Sequence, residues 1–110
     1  MNSVNGVYTL VRRVIVELTG IEVYQNRGRS IRKVDAKWLF ANTVYTLFYK
    51  TDELKHLPRP LLLDISYQLG YYDNDSITNL MKRYKPSEGI RELGEQLTKY
   101  CLSKIKKGVD

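Results

Sequence analysis

The strongest constraint on the fold lies between residues 62 and 84, where two short apolar patterns flank a glycine. In the first pattern apolar residues stand at 62, 65 and 69, and Gly70 follows. In the second, apolar residues stand at 77, 80, 81 and 84. Spacings of three and four residues place side chains on one face of an α-helix. Two short helices joined by a turn that contains glycine are typical of a helix-turn-helix, which is the predicted motif.

Helical periodicity also covers the rest of the chain, and no window alternates convincingly as a strand. We predict a first helix over residues 5–18, a long central helix over 31–49 and a last helix from about 87 to 105. The central helix has apolar residues on two sides, which predicts burial on two sides, with Trp38 as a core anchor. The predicted fold class is all-α, with five to six helices in an orthogonal bundle around the central helix.

Residues with special backbone or capping properties mark the helix ends. Proline at 58 or 60 suits the start of the first short helix, because the first turn of a helix does not need the missing N–H. Gly70 favours the end of that helix. Asp73 or Asn74 can cap the second short helix, which we expect to span about 74–84.

Composition indicates one globular domain over residues 1–110. The chain is 43% hydrophobic and 27% charged, as is ordinary for globular proteins. No run approaches the roughly 18 apolar residues that cross a bilayer. The N-terminal segment lacks the basic and apolar regions of a secretory signal, so we expect a cytoplasmic protein without membrane contact.

Residues suited to catalysis or metal binding are sparse. Cys101 is the only cysteine and His56 the only histidine, so neither a disulfide nor a metal site is predicted. Cys101 lies in an apolar stripe and is expected to be a small core residue. No nucleophile–base set or carboxylate pair can be assembled. We therefore expect no catalytic residues, no cofactor, no small-molecule substrate and no enzymatic activity.

The net charge of +6 is concentrated in clusters. The basic residues of the first cluster are Arg27, Arg29, Arg32, Lys33 and Lys37, those of the second are Lys82, Arg83 and Lys85, and those of the last helix are Lys99, Lys104, Lys106 and Lys107. Clustering of this kind favours a polyanion-binding surface. Solvated helix faces remain the alternative for each cluster.

Two stretches resemble a known family. They are Arg-Lys-Val-Asp-Ala-Lys-Trp-Leu-Phe at 32–40 and Ile-Ser-Tyr-Gln-Leu-Gly-Tyr-Tyr-Asp-Asn-Asp-Ser-Ile at 65–77. They are similar to the Val-x-Ala-Arg-like motif and the Ile-Gly-x-x-Phe-Gly-x-Arg-Asp-His-Ser-Thr-Val signature of the DNA-binding C-terminal domain (domain IV) of the bacterial replication initiator DnaA, in the Trp-repressor-like helix-turn-helix group. The resemblance covers roughly residues 5–106. The signature arginine, histidine, serine and threonine are replaced by Tyr72, Asn74, Asp75 and Ser76, and no ATP-binding phosphate loop is present.

The resemblance implies a sequence-specific double-stranded DNA-binding protein whose recognition helix spans about 74–84. It also implies a role in bacterial or phage replication or transcription control. A basic loop would reach the minor groove, and asparagines of the recognition helix could pair with adenine. Asp75 could accept a hydrogen bond from a cytosine amine or merely complement the helix dipole. The expected DNA-contacting residues are Arg27, Arg29, Arg32, Lys33, Tyr72, Asn74, Asp75, Ser76, Thr78, Asn79, Lys82 and Arg83.

Two alternatives follow from the tyrosines and from the lost signature residues. Tyr71 and Tyr72, expected to be mostly exposed in the turn, could stack on unpaired bases. They could instead contact a protein partner, which would make the chain an interaction module on a degenerate helix-turn-helix scaffold. Tyr45, Tyr84 and Tyr100 are expected to pack on the core. The pattern is compatible with either a monomer or a dimer.

Overall fold

The computed structural model describes residues 3–20, 33–71 and 73–106. These residues form five α-helices and no strand. The helices are α1 (Val4–Thr19), α2 (Lys33–Tyr49), α3 (Leu62–Gln68), α4 (Asn74–Lys82) and α5 (Glu88–Lys106). The predicted all-α class is confirmed, as are two short helices at the positions of the two short apolar patterns.

Helix α2 is the centre of the bundle and packs against each of the other four described helices. Its side chains Leu39, Phe40 and Leu47 are completely buried. Each side chain of this size contributes about 1.5–3 kcal/mol when removed from water, so the two apolar sides of α2 account for its central place. Trp38 is only partly buried, at the edge of this core, where it faces α5.

The ends of α1 follow from its capping residues. The Ser3 side chain accepts a hydrogen bond from the Gly6 backbone N–H at 3.0 Å. At the other end Gly20 takes a left-handed conformation (φ 73°) and donates its N–H to the Val16 carbonyl. Because these caps satisfy orphan backbone groups, α1 extends one residue beyond each end of the predicted helix.

Two predicted boundaries are wrong. Helix α3 begins at Leu62 rather than at Pro58 or Pro60, because the Tyr49 hydroxyl donates to the Pro60 carbonyl and holds the preceding loop against α2. Helix α4 ends at Lys82, not at Tyr84. The Tyr84 N–H still bonds to the Asn79 carbonyl, but its side chain leaves the helix to contact α2. The predicted start of α2 at residue 31 lies outside the described residues.

Helix α5 closes the bundle against α1 and α2. Leu97 and Cys101 are buried, while Ile90, Leu93 and Ile105 are partly buried against the same core. These residues recur every three or four positions and form the apolar stripe in which the sequence places Cys101. Among the described helices, none combines the length and the apolarity needed to cross a membrane.

Candidate nucleic-acid interface

A tight turn joins α3 to α4 and depends on one glycine. Gly70 has φ 81°, in the left-handed region that residues with a Cβ atom rarely adopt. Its N–H donates to the Tyr67 carbonyl, and the Tyr71 N–H donates to the Ser66 carbonyl, each at 3.1 Å. These two bonds form a Schellman motif. The glycine therefore ends α3, as predicted, and sets the direction in which the chain enters α4.

A buried serine fixes α4 relative to α3. Ser66 is completely buried, and its hydroxyl donates to the Asp73 carbonyl at 2.9 Å. Asp73 is itself the N-cap of α4, because its carboxylate accepts the Ser76 N–H at 2.6 Å. The backbone of Asp73, the N-cap residue of α4, is thus hydrogen-bonded to the buried Ser66 side chain of α3. A short helix held in this way can present its outer face in a defined orientation.

The outer face of α4 is polar and the inner face apolar. Ile77 and Leu80 are buried, and α4 packs on α2 and α3. Asp75, Asn79 and Lys82 are exposed. Positions i, i+4 and i+7 lie along one side of a helix, so these three residues form a stripe pointing away from the core, which we call the α4 stripe.

The other predicted contacts on α4 occupy less prominent positions. Asn74 and Arg83 are exposed beside the α4 stripe, and Thr78 is half-buried. Ser76 is also half-buried, and its hydroxyl donates to the second carboxylate oxygen of Asp73 at 3.3 Å. The Ser76 hydroxyl is therefore part of the helix cap.

Part of the predicted interface cannot be placed beside α4. Lys33 is exposed in the first turn of α2. Arg27, Arg29, Arg32 and Tyr72 lie outside the described residues.

Lys37 does not belong to a basic surface, contrary to the prediction for its cluster. It is 9% exposed, and its ammonium group lies 4.5 Å from the centroid of the Tyr71 ring. Burial, and to a smaller extent the charge of Lys33, lowers its pKa. A cation over an aromatic face is stabilised by the ring electrons. Lys37 thus braces the turn between α3 and α4 from the side of α2.

The same contact changes the interpretation of Tyr71. The sequence predicts a mostly exposed tyrosine, but Tyr71 is half-buried against the core and Lys37 covers its ring. Burial, followed by the nearby Asp73 charge, raises its pKa. Tyr71 is therefore not an open platform for stacking bases or for contact with a partner.

A second contact from α2 holds the chain after α4. Asp35 is 8% exposed and accepts a hydrogen bond from the Tyr84 hydroxyl. The sequence predicts that Tyr84 packs on the core but gives no indication of its bond to Asp35. The two residues are far apart in the sequence, and no local pattern indicates such a pair. Together with the Lys37–Tyr71 contact, it connects α2 to both ends of α4.

Two of the four basic residues predicted for the last helix contact other side chains of the chain. Lys106 forms an ion pair with Glu53 at 3.2 Å, which contributes to lowering the Glu53 pKa after its main cause, a backbone hydrogen bond. Lys104 lies 5.4 Å from the ring centroid of Tyr100. Tyr100 is 44% exposed, so the expectation that it packs on the core is wrong. Lys107 lies outside the described residues.

The described residues contain no cluster of three or more His, Cys, Asp or Glu side chains suited to a metal ion. Cys101 is completely buried, as predicted, and burial raises the pKa of its thiol to about 12. Since the thiolate is the reactive form, Cys101 is an inert core residue.

A scan against protein-family models, a search of curated proteins and a search of solved structures each found no match to this chain. Its function must therefore be inferred from the geometry of α3 and α4 and from the side chains that they expose.

Proposed function

We propose that this chain binds double-stranded DNA, with α3 and α4 as a helix-turn-helix and α4 as the recognition helix. The observation that carries the proposal is the α4 stripe: exposed Asp75, Asn79 and Lys82 on a short helix whose cap is bonded to α3. The major groove of B-DNA is wide enough for an α-helix and displays hydrogen-bonding groups that distinguish all base pairs. A helix oriented by its partner helix can bring such a stripe to the base edges.

Affinity would come mainly from basic residues around this helix. Lys82 and Arg83 are exposed at the C-terminal end of α4. From this end of the helix, their side chains would reach phosphates more easily than base edges. Such contacts position a protein without reading sequence. The resemblance to domain IV of DnaA adds a minor-groove contact by Arg27, Arg29 and Arg32. The same resemblance motivates sequence specificity and a role in bacterial or phage replication or transcription control.

The first experiment is selection from a random double-stranded DNA pool at near-physiological salt, followed by salt titration of the selected sequence. We expect enrichment of one motif. With about four to seven phosphate contacts, log K should fall with log salt at a slope of about −0.9 per contact. A slope shallower than about −2, or no retention of DNA, would contradict the proposal.

Paired charge variants locate the binding surface. We expect Lys82→Ala combined with Arg83→Ala to weaken binding to all sequences alike and to reduce the magnitude of the salt slope by about 1.8, for two lost contacts. The matched control is Lys50→Ala with Lys55→Ala, which removes the same charge from exposed positions between α2 and α3. This control should leave the slope nearly unchanged. Equal losses in both double variants would indicate nonspecific attraction by net charge and not docking of α4.

A protein-interaction module is the second candidate, favoured by exposed apolar side chains around α3. Leu61, Leu62 and Tyr67 are 68%, 37% and 45% exposed. Nearby, residues of α1, α3 and the loop at 58–60 line an open cleft of about 330 Å³. Apolar groups of this kind mark protein contacts when they are contiguous. In that case DNA would be retained only at low salt, and Leu61→Ser with Leu62→Ser would disrupt a stable protein complex.

A further inference from the structure

We infer that Asp75 makes this chain selective for cytosine, by accepting a hydrogen bond from the cytosine N4 amine in the major groove. A neighbouring adenine would be read by Asn79. This selectivity depends on the proposed docking of α4 and adds to it the identity of the bases that are recognised.

The two acidic residues at the start of α4 have different roles. The Asp73 carboxylate is engaged within the protein by the Ser76 N–H at 2.6 Å and the Ser76 hydroxyl at 3.3 Å. Asp75 is exposed, and no hydrogen bond or ion pair joins its carboxylate to another residue in the described part of the chain. The cap of α4 is therefore complete without Asp75, whose carboxylate remains available to an external donor.

Helical geometry places this carboxylate at the middle of the outer face. Successive residues are rotated by roughly 100° in an α-helix, so Asp75 lies roughly 160° from Ile77 and 140° from Leu80, the two buried residues of α4. Asn79 and Lys82 lie within roughly 40° of Asp75 on the same side. When this side faces a duplex, Asp75 faces the bases directly.

The chemistry of a carboxylate restricts what it can face. An ionised Asp only accepts hydrogen bonds, so phosphate oxygens and the acceptor atoms of guanine and thymine repel it. The donors exposed in the major groove are the amines of cytosine and adenine. Adenine presents its N7 acceptor beside its amine, whereas cytosine presents only the amine donor in the major groove. A carboxylate at this position therefore favours cytosine over the other three bases.

Asn79 supplies the second half of the expected sequence. Its amide has both a donor and an acceptor, which match the N7 and N6 groups of adenine. Four residues advance an α-helix by about 6 Å, slightly less than two base steps of about 3.4 Å each. The cytosine and the adenine should therefore lie within two base pairs of each other.

The test compares DNA motifs selected by the unmodified chain, by Asp75→Ala and by Asn79→Ala. We expect a motif with a fixed cytosine near a fixed adenine. Asp75→Ala should lose the preference for cytosine by on the order of tenfold while retaining that for adenine, and Asn79→Ala should do the converse. A motif that keeps its cytosine in the Asp75→Ala selection would overturn the inference.

Removing a single group from the DNA makes the test specific to the amine. The selected cytosine is replaced by a 2-pyrimidinone nucleotide, which lacks N4. Affinity should then fall on the order of tenfold for the unmodified chain, and much less for Asp75→Ala. Equal losses for both proteins would show that the amine is not read by Asp75.

Thermal denaturation of Asp75→Ala separates base reading from a purely structural role. An acidic residue in the first turn of a helix can stabilise the helix through its dipole. A lower melting temperature with an unchanged motif would assign Asp75 to helix stability and refute the inference. Failure of the unmodified chain to bind any DNA would refute the proposed function itself. Specific binding with no dependence of the cytosine on Asp75 would refute only the inference.

Discussion

The adjacent residues Asp73, Asn74 and Asp75 show how side chains of similar size take different roles. Only Asp73 accepts hydrogen bonds from Ser76. We expect Asp73→Ala to lower the free energy of unfolding by about 1 kcal/mol through loss of the N-cap. Asp73→Asn should restore most of this loss, since asparagine caps as well as aspartate. Asn74→Ala, at the exposed neighbouring position, is the matched control, and urea denaturation measures all three. Equal losses in Asp73→Ala and Asn74→Ala would contradict the cap.

Residue types alone predicted this cap only as a choice between Asp73 and Asn74. The local sequence contains the preference for a short polar side chain before the helix, but the Ser66 hydroxyl decides the register by holding the Asp73 carbonyl. Lys37 shows the opposite situation. Lys37 shortly follows Arg32 and Lys33 in the sequence, which suggests a charged surface, whereas the folded chain buries it with its ammonium group over the Tyr71 ring. Contacts between distant residues leave no local pattern to detect.

At the scale of helices, the packing of α5 against α2 leaves little room for a side chain at Gly94. A Cβ atom at this position would lie 3.2 Å from a ring carbon of Trp38 and 3.5 Å from Leu39. We expect Gly94→Leu to lower the free energy of unfolding by about 1–3 kcal/mol, because the extra atoms overpack this contact.

Gly89 provides the matched control in the same helix. A Cβ atom at Gly89 would have no neighbour within 4 Å, and leucine favours helices over glycine by up to about 1 kcal/mol. Gly89→Leu should therefore maintain or raise stability in the same denaturation experiment. If Gly94→Leu is no less stable than Gly89→Leu, the two helices do not approach as closely as described.

The helices themselves could be predicted well because amphipathic periodicity is a local property. The predicted first and last helices agree with α1 and α5 to within one residue at each end. The start of α3 could not be found in this way, since it depends on the bond between Tyr49 and Pro60. For the candidate site, periodicity separated the buried face of α4, with Ile77 and Leu80, from the outward one. It did not show that Ser76 is taken up by the cap.

At the scale of the whole molecule, two buried acidic groups couple stability to alkaline pH. Burial raises the pKa of the Tyr8 hydroxyl from 10.0 to about 12, with smaller contributions from Asp64 and Tyr49. Burial alone raises the pKa of the Cys101 thiol from 9.0 to about 12. At a pH between the ordinary and the raised pKa of each group, the unfolded chain has lost a proton that the folded chain retains. Unfolding then releases protons, so the free energy of unfolding falls as pH rises.

Lys37 acts in the opposite direction over part of this range. Its pKa in the folded chain is below 10.5, principally because of burial. Between that lowered value and 10.5 the unfolded chain holds the extra proton, and stability rises with pH. Above pH 10.0, the ordinary pKa of Tyr8, both Cys101 and Tyr8 lower the free energy of unfolding as pH rises, and only Lys37 raises it. The three groups together therefore give a net loss of stability there.

The contribution of Cys101 can be isolated by substitution. Its stabilising effect is fully present below pH 9 and is lost as pH rises toward about 12. One proton released on unfolding corresponds to a slope of about 1.4 kcal/mol per pH unit. We therefore expect Cys101→Ala to make the decline of the free energy of unfolding between pH 9 and 11.5 shallower by up to this amount. The stability that Cys101→Ala loses because of poorer packing should be the same at every pH.

Ser103→Ala, an exposed change in the same helix, should leave the fall of the free energy of unfolding with pH unaltered. Urea denaturation at successive pH values gives each slope, and identical slopes for Cys101→Ala and the unmodified chain would show that the thiol is not kept protonated by its burial.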